Sequence, residues 1–168
     1  MALFDYTIEA TSGHARAGSY ETAHGSFKTP MFMPVGTHAT VKGITVDQLH
    51  ELGSQVVLAN TYHLYMRPGA DLVEEAGGVQ KFMSYDGPML TDSGGFQLFS
   101  LAHMMSEDDE GVSFQSLDYD GSKHRWTPES NMLIQEKIGA DICMQLDQCI
   151  GYPAERKDVA ASTKLSWE

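Results

Sequence analysis

The sequence predicts an α/β protein made of an N-terminal antiparallel hairpin and about half of a (β/α)8 TIM-like barrel. Short apolar runs alternate with helical patterns after residue 30, which is typical of a parallel sheet with helical crossovers. The apolar runs are continuous, as expected when both faces of a strand are covered. Polar residues end three of these runs, at Asn60, Asp92 and Asp147. In a barrel the carboxyl ends of the strands share one mouth, so these side chains are expected to converge there.

Residues 1–30 alternate apolar and polar side chains, and Gly13, Gly18 and Gly25 interrupt the pattern. This alternation predicts a short antiparallel hairpin or meander. Residues 31–168 are assigned to the first four β/α units, so the chain 1–168 is predicted to form a single domain. A second hairpin is expected as an insertion around residues 111–126, with its turn at 119–121.

Four strands are expected in the barrel part. They are Met31–Val35, Val56–Ala59 ending at Asn60, a run that ends at Asp92, and the run "DICMQLD", which ends at Asp147. The segment "NTYHLYMRPG" is expected to be a packed loop, with His63 as a structural histidine. A full eight-stranded barrel takes about 250 residues, so 168 residues correspond to roughly half of one.

Helix start and stop residues predict the helices between these strands. Thr45 is expected to cap one helix that stops at Gly53, and another runs from about Ala70 to Gly77. The clearest helix has Thr127 as its cap, Pro128 at its first position and Gly139 at its end. Its apolar positions are expected at Met132, Leu133 and Ile138. A final helix is expected after Pro153.

Composition sets limits on function. The chain has 11 basic and 23 acidic residues, a net charge of −12, so its average field repels a polyanion such as RNA. Cys143 and Cys149 are spaced C-x5-C, which matches no common zinc spacing. We find no secretory signal and no apolar run near 18 residues, which predicts a cytoplasmic protein with no membrane partner.

The segment "MLTDSGGFQL" is the first candidate for chemistry. An aspartate before Ser-Gly-Gly is often a turn residue that bonds its own backbone, and Asp92 alone fits that description. Alternatively, the glycines allow a ligand to approach closely, so that Asp92 and the N–H groups of Ser93 and Gly94 face it. Phe96 would then provide a stacking surface.

Asp147 strengthens the second interpretation, because it places another carboxylate at the end of a neighbouring strand. Two carboxylates at one mouth serve glycosyl-transfer chemistry, and one carboxylate can also accept the N–H groups of a purine-like base. A helix N-cap or an inter-strand bridge remains an equally good explanation for Asp147.

Six segments, in order along the chain, resemble the N-terminal half of bacterial-type tRNA-guanine transglycosylase. They are "TPMFMPVGTHATVKG", "NTYHLYMRPG", "MLTDSGGFQLFSL", "GVSFQS", "DGSKHRWTPE" and "DICMQLDQC" followed by "YPA". The resemblance implies a (β/α)8 barrel that exchanges guanine in a tRNA anticodon loop for a 7-deazaguanine. It implies double displacement at the ribose C1′ carbon through a covalent enzyme–RNA intermediate.

The resemblance also implies roles for individual residues. Asp92 corresponds to the general acid/base, and Asp147 to the residue that binds the Watson–Crick-type edge of guanine. Phe96 corresponds to the aromatic residue that stacks on the base, where the family often has tyrosine. Ser93 and Cys149 correspond to base-pocket residues, and Asn60 to a polar residue near the catalytic carboxylates.

Other parts of the family's site have no counterpart in these residues. The resemblance places the nucleophilic aspartate, the basic tRNA-binding surface and the zinc site beyond residue 168, so no metal or cofactor is expected in this chain. Partners are expected to be tRNA, guanine or 7-deazaguanine, and a second copy in a homodimer. Two alternatives stay open: an inactive half-barrel that dimerises or binds a purine-like base, and a different two-carboxylate barrel such as a glycoside hydrolase.

Overall fold

The computed structural model of the chain describes residues 5–101 and 105–167. Residues 1–4, 102–104 and 168 of the predicted domain therefore lie outside the described residues. The described part mixes helices and strands and begins with an antiparallel sheet, which confirms the coarse fold class.

The N-terminal sheet contains β1 (Asp5–Ser12), β2 (Ala15–Thr22) and β3 (Gly25–Thr29), paired antiparallel in that order. Gly18 is required where β2 pairs with β1, because a Cβ at this position would lie 2.4 Å from the Thr7 carbonyl oxygen. Most of β1 is exposed, whereas Phe27 of β3 is buried.

The remaining described elements follow in chain order: α1 (Val46–Glu51), β4 (Val57–Ala59), α2 (Thr61–Met66), α3 (Ala70–Glu75), α4 (Val79–Met83), β5 (Met89–Thr91), α5 (Gly95–Leu101), β6 (Met105–Asp108), β7 (Gly111–Gln115), β8 (Lys123–Trp126), α6 (Pro128–Ile138), β9 (Ile142–Cys143) and α7 (Arg156–Trp167). Strands β4, β5 and β9 form a parallel sheet in that order. Strands β6, β7 and β8 form a separate antiparallel sheet where the sequence predicts an inserted hairpin.

Two of the predicted strands are wrong in their extent. Met31–Val35 is not a strand and makes only one bridge, between Val35 and Leu58, while Phe32 is 81% exposed. Proline explains this, because Pro34 has no N–H to donate to a ladder. The fourth strand contains Ile142–Cys143 only, so Asp147 lies four residues beyond its end rather than at it.

The three parallel strands and the Val35 bridge do not close on themselves within the described residues. The half-barrel therefore stays a prediction.

Helices with strong local caps form as predicted. Thr45 and Thr127 each make a capping box at the start of α1 and α6, and Gly139 ends α6 in the left-handed conformation. Helix α2 forms where we predicted a loop for "NTYHLYMRPG", and helices α4 and α5 were not predicted. Of the three apolar positions named for α6, Ile138 is buried, whereas Met132 and Leu133 are exposed.

Two apolar clusters hold these elements together. The first lies between the parallel sheet and helices α1, α3, α4 and α6, with Val57, Met89 and Ile138 fully buried. The second anchors the β6–β8 sheet, with Trp126 and Phe114 packed against Tyr62 of α2. The second cluster places this sheet beside the carboxyl ends of β4 and β5.

A buried carboxylate ties the N-terminal sheet to the parallel sheet. The side chain of Asp141 is fully buried just before β9 and accepts hydrogen bonds from Met89 N at 2.9 Å and Gln80 Nε2 at 3.0 Å. His24, in the β2–β3 turn, approaches the same carboxylate with its Nδ1 at 2.8 Å and its backbone N at 3.2 Å. These contacts lie at the amino ends of β5 and β9, away from Asp92.

Candidate functional site

Asn60 and Asp92 meet at the carboxyl edge of the parallel sheet. Each residue directly follows its strand, β4 or β5, and these strands run side by side. Asn60 Nδ2 donates a hydrogen bond to Asp92 Oδ2 at 2.5 Å. The structure therefore brings these two predicted site residues together.

The start of α2 orients the Asp92 carboxylate. Thr61 N donates to Asp92 Oδ1 at 2.9 Å, and the Thr61 hydroxyl donates to the Asp92 carbonyl at 2.5 Å. Asn60 and Thr61 are buried, whereas Asp92 is half-buried. A carboxylate offers about four lone-pair sites, so Asp92 is fixed in orientation and still has acceptor capacity for a ligand.

Ser93 links the two aspartates. Its hydroxyl donates to Asp147 Oδ1 at 2.5 Å and accepts from Gly95 N at 3.0 Å. Its carbonyl accepts from Asn131 Nδ2 at 2.7 Å. Asp147 thus reaches the site although its strand ends earlier than predicted.

The two glycines make room for protein rather than for a ligand. Gly94 has a φ of +80°, and a Cβ there would lie 2.8 Å from Trp126 Cζ3. A Cβ on Gly95 would lie 2.5 Å from both the carbonyl oxygen and Oδ1 of Asp147. The expectation that these positions leave open space beside the backbone is therefore wrong on their Cβ side.

Cys149 is held as a thiol beside Asp147. Its Sγ–H donates to Asp147 Oδ2 at 3.4 Å. Burial and then the neighbouring Asp147 carboxylate raise the pKa of Cys149 to about 11, so the group is not a nucleophilic thiolate near pH 7. Helix α7 also contacts the segment that carries Asp147 and Cys149, because the Ser162 hydroxyl donates a hydrogen bond to the Gln148 carbonyl at 2.7 Å.

Phe96 lies in the first turn of α5, and its side chain is 62% exposed. It makes no ring contact with another aromatic side chain within the described ranges. Its ring is therefore free to stack on a flat ligand.

His63 is a neutral neighbour of the site. Its Nδ1 is 2.7 Å from the Tyr119 hydroxyl, which connects α2 to the β7–β8 turn. Burial and the nearby His38 lower the pKa of His63, and the charge of Asp92 opposes this shift. A neutral, hydrogen-bonded imidazole agrees with the structural role predicted from the sequence.

Sequence reasoning missed Thr61, Asn131 and Gln135. Asn131 and Gln135 are both fully buried on α6, four residues apart on one face of the helix. Two amides at that spacing in an otherwise ordinary helix are a detectable pattern, whereas nothing local distinguishes Thr61.

A groove of about 990 Å³ runs past Asp147, between the β6–β7 turn and α7. Gly95, Leu98 and Lys164 line it, together with Glu107, Asp108 and Glu110. Asp92 and Phe96 do not line it. The acidic side chains make this groove a poor surface for nucleic-acid phosphates.

The described residues fit neither a metal site nor a membrane span. Between residues 5 and 167, leaving out 102–104, no group of three or more His, Cys, Asp or Glu side chains could hold a metal ion. No helix there is long and apolar enough to cross a membrane.

Comparison with known proteins gives consistent matches. A family model described as queuine tRNA-ribosyltransferase matches residues 10–168. A queuine tRNA-ribosyltransferase of Herpetosiphon aurantiacus is 56% identical over 168 residues, which cover 100% of this chain and 42% of the relative. The protein of that name in Koribacter versatilis is 55% identical and matches 97% of this chain and 42% of its own length. The one in Desulforudis audaxviator is 51% identical and matches 96% of this chain and 43% of its own length. The chain thus spans less than half the length of these relatives.

Proposed function

The chain belongs to the queuine tRNA-ribosyltransferase family, and on this premise we propose that it supplies the base-binding and proton-transfer part of a tRNA base-exchange site. The proposed reaction replaces guanine in the anticodon loop of tRNA by a 7-deazaguanine. The rest of the site, including the nucleophile, comes from residues outside this chain. The proposed architecture is a single domain with half of a (β/α)8 barrel.

The proposed reaction is a double displacement at the ribose C1′ carbon. In the first step the bond from C1′ to guanine breaks, a bond from C1′ to the nucleophile forms, and the leaving guanine takes up a proton. In the second step the incoming base attacks C1′, releases the nucleophile and loses a proton. Asp92 is the proposed carrier of both protons, because its carboxylate is oriented and still accessible.

The observation that supports this proposal is the hydrogen-bonded link between the two chain segments that carry Asp92 and Asp147. Asn60 and Thr61 hold Asp92, and the Ser93 hydroxyl joins that segment to Asp147. We assign the N–H edge of the base to Asp147. Among the described residues, the one hydrogen bond to its Oδ2 is the weak S–H bond of Cys149 at 3.4 Å, and a base N–H is a better donor.

Phe96 completes the proposed base site with an exposed ring, and stacking on an aromatic side chain contributes about 1–3 kcal/mol per base. Proposed partners are tRNA and the free base. Because the net charge of the chain is −12, the basic surface that tRNA needs is assigned to the remainder of the enzyme. No cofactor in this chain is needed for the proposed steps.

The test is base exchange by a chimera of the Herpetosiphon aurantiacus relative in which this chain replaces the matched segment. Incorporation of labelled guanine into tRNA measures activity. Asp92→Asn is expected to lower the rate by about 10²–10⁴-fold, the usual contribution of a general acid/base. Asp109→Asn makes the same charge change on an exposed turn residue and is expected to leave the rate within about twofold. An Asp92→Asn rate equal to that of the unmodified chimera contradicts the role of Asp92.

A second candidate function is a half-barrel that forms a homodimer and binds a purine-like base without turnover. The observation that favours it is that β9 pairs on one side only within the described residues, and that Met132 and Leu133 are exposed near Ile142 and Cys143. Light scattering for mass and calorimetry with guanine on the 168-residue chain test this function. A monomer without measurable guanine affinity contradicts it.

A further inference from the structure

The ladder between β5 and β9 ends where the candidate site begins, and a side chain continues it. The last backbone contact is from Met144 N to the Thr91 carbonyl at 3.2 Å. The same Met144 N–H also donates to Gln135 Oε1 at 3.1 Å, and Gln135 Nε2 donates to the Met144 carbonyl at 2.8 Å. The amide of Gln135 therefore pairs with Met144 as a neighbouring strand would.

The hydrogen-bonding capacity of Gln135 is fully used. Its Oε1 also accepts from the Thr91 hydroxyl at 2.8 Å, and its Nε2 also donates to Asn131 Oδ1 at 2.7 Å. Gln135, Asn131 and Thr91 all have 0% exposure, so these bonds form without competition from water. A buried polar network that is fully satisfied specifies one arrangement of its members.

Asn131 connects Gln135 to Ser93. Its Nδ2 donates to the Ser93 carbonyl at 2.7 Å, and Ser93 in turn holds the Asp147 carboxylate at 2.5 Å. The chain from Met144 to Asp147 is therefore held at both ends, by Gln135 and by Ser93. That segment has no regular secondary structure, and Asp147 is exposed, so its own backbone does not fix the carboxylate.

We propose that Gln135 and Asn131 are positioning residues, which fix the Asp147 carboxylate relative to Asp92 for recognition of the base. This inference rests on the proposed base-exchange function. Both amides are fully buried, so the proposed role is an indirect one that needs no contact with the base. Their effect is preorganisation: a base meets a carboxylate already in place, so less conformational entropy is lost on binding.

The test is the kinetics of the chimera with Gln135→Met, which keeps the length of the side chain and removes its hydrogen bonds. The KM for the base is expected to rise about tenfold or more, while kcat changes less than about threefold, because Asn60 and Thr61 hold Asp92 independently. Gln80→Met is the matched control, since it makes the same change to a buried, hydrogen-bonded amide that lies beside Asp141 at the amino ends of the strands. Equal effects of both substitutions on KM contradict the proposal.

A double-mutant cycle separates positioning from a general structural role. In an Asp147→Ala background, Gln135→Met is expected to raise KM by less than about twofold further, because the group it positions is gone. A full additional increase contradicts the proposal. Asn131→Ala keeps both Met144 hydrogen bonds and tests the same route by the same cycle if Gln135→Met does not fold.

A readout without catalysis keeps the inference separate from the proposed function. Cys149 donates its S–H to Asp147, so displacement of that carboxylate is expected to speed the alkylation of Cys149 by iodoacetamide in the 168-residue chain. If the unmodified chimera exchanges no guanine, the proposed function fails. Faster alkylation in Gln135→Met still supports the positioning role in that case, and an unchanged rate contradicts it.

Discussion

Replacing Gly95 by alanine puts a methyl group into space that Asp147 occupies. The new Cβ would lie 2.5 Å from the carbonyl oxygen and Oδ1 of Asp147, whereas ordinary contacts begin at 3.4 Å. Asp147 or α5 must therefore move by about 0.9 Å, and the backbone oxygen cannot swing aside as a flexible side chain does. Overpacking of this kind costs about 1–3 kcal/mol of unfolding free energy.

One effect acts in the opposite direction. Alanine is favoured over glycine in a helix interior by about 1 kcal/mol, but Gly95 is the first residue of α5, where this gain is smaller. The clash is therefore expected to dominate. For a chain of this size, each kcal/mol corresponds to about 2–4 °C in Tm.

The assay is urea denaturation of the 168-residue chain, with Gly151→Ala as the control. Gly151 lies outside a helix, and a Cβ there meets only Phe99 Cζ at 3.8 Å, so its unfolding free energy is expected to change by less than about 0.5 kcal/mol. Equal stability of the two alanine variants would refute the close approach of Gly95 and Asp147.

Two other substitutions test contacts at the amino ends of β5 and β9 and at the candidate site. Asp141→Ala leaves Met89 N and Gln80 Nε2 buried without an acceptor and is expected to lower the unfolding free energy by about 2–5 kcal/mol in urea. Asp86→Ala, which replaces a side chain that is 90% exposed, is the control, and comparable losses would contradict the stabilising role of the Asp141 hydrogen bonds. Because the pKa of Cys149 is raised to about 11, its thiolate fraction at pH 8 is roughly 100-fold below that of an unperturbed cysteine, and its alkylation by iodoacetamide is expected to be slow. Asp147→Asn lowers that pKa by removing a carboxylate that stabilises the thiol, so alkylation measured by mass spectrometry is expected to accelerate, and an unchanged rate would contradict the contact.

Local chemistry made the capped helices predictable. Thr45 and Thr127 satisfy the free N–H groups of their own helices, and Gly139 adopts the left-handed conformation that ends α6. The same local logic failed for Met31–Val35, where apolar composition indicated a strand but the prolines limit backbone pairing. Local reasoning also missed α2. The residues at the start of this helix, Asn60 and Thr61, form hydrogen bonds with Asp92, which lies 31 or 32 residues away in the chain and so is invisible to a local pattern.

The sequence predicted part of the contacts at the candidate site and missed others. Asn60 and Asp92 follow neighbouring parallel strands, so their meeting follows from strand order. Asp147 reaches the site by another route, through Ser93 and the Asn131–Gln135 amides, because β9 ends at Cys143. The role of the glycines also changed, since Trp126 and Asp147 fill the space that the sequence assigned to a ligand.

The sequence by itself determined the α/β class, the capped helices and the resemblance to a family that the comparisons then established. These features depend on neighbouring residues or on the order of short motifs, and both are visible in one dimension. Only the tertiary structure decided which groups hold the Asp92 and Asp147 carboxylates. Those contacts join residues far apart in the chain, and each depends on how α6 packs against the ends of β5 and β9, to within fractions of an ångström.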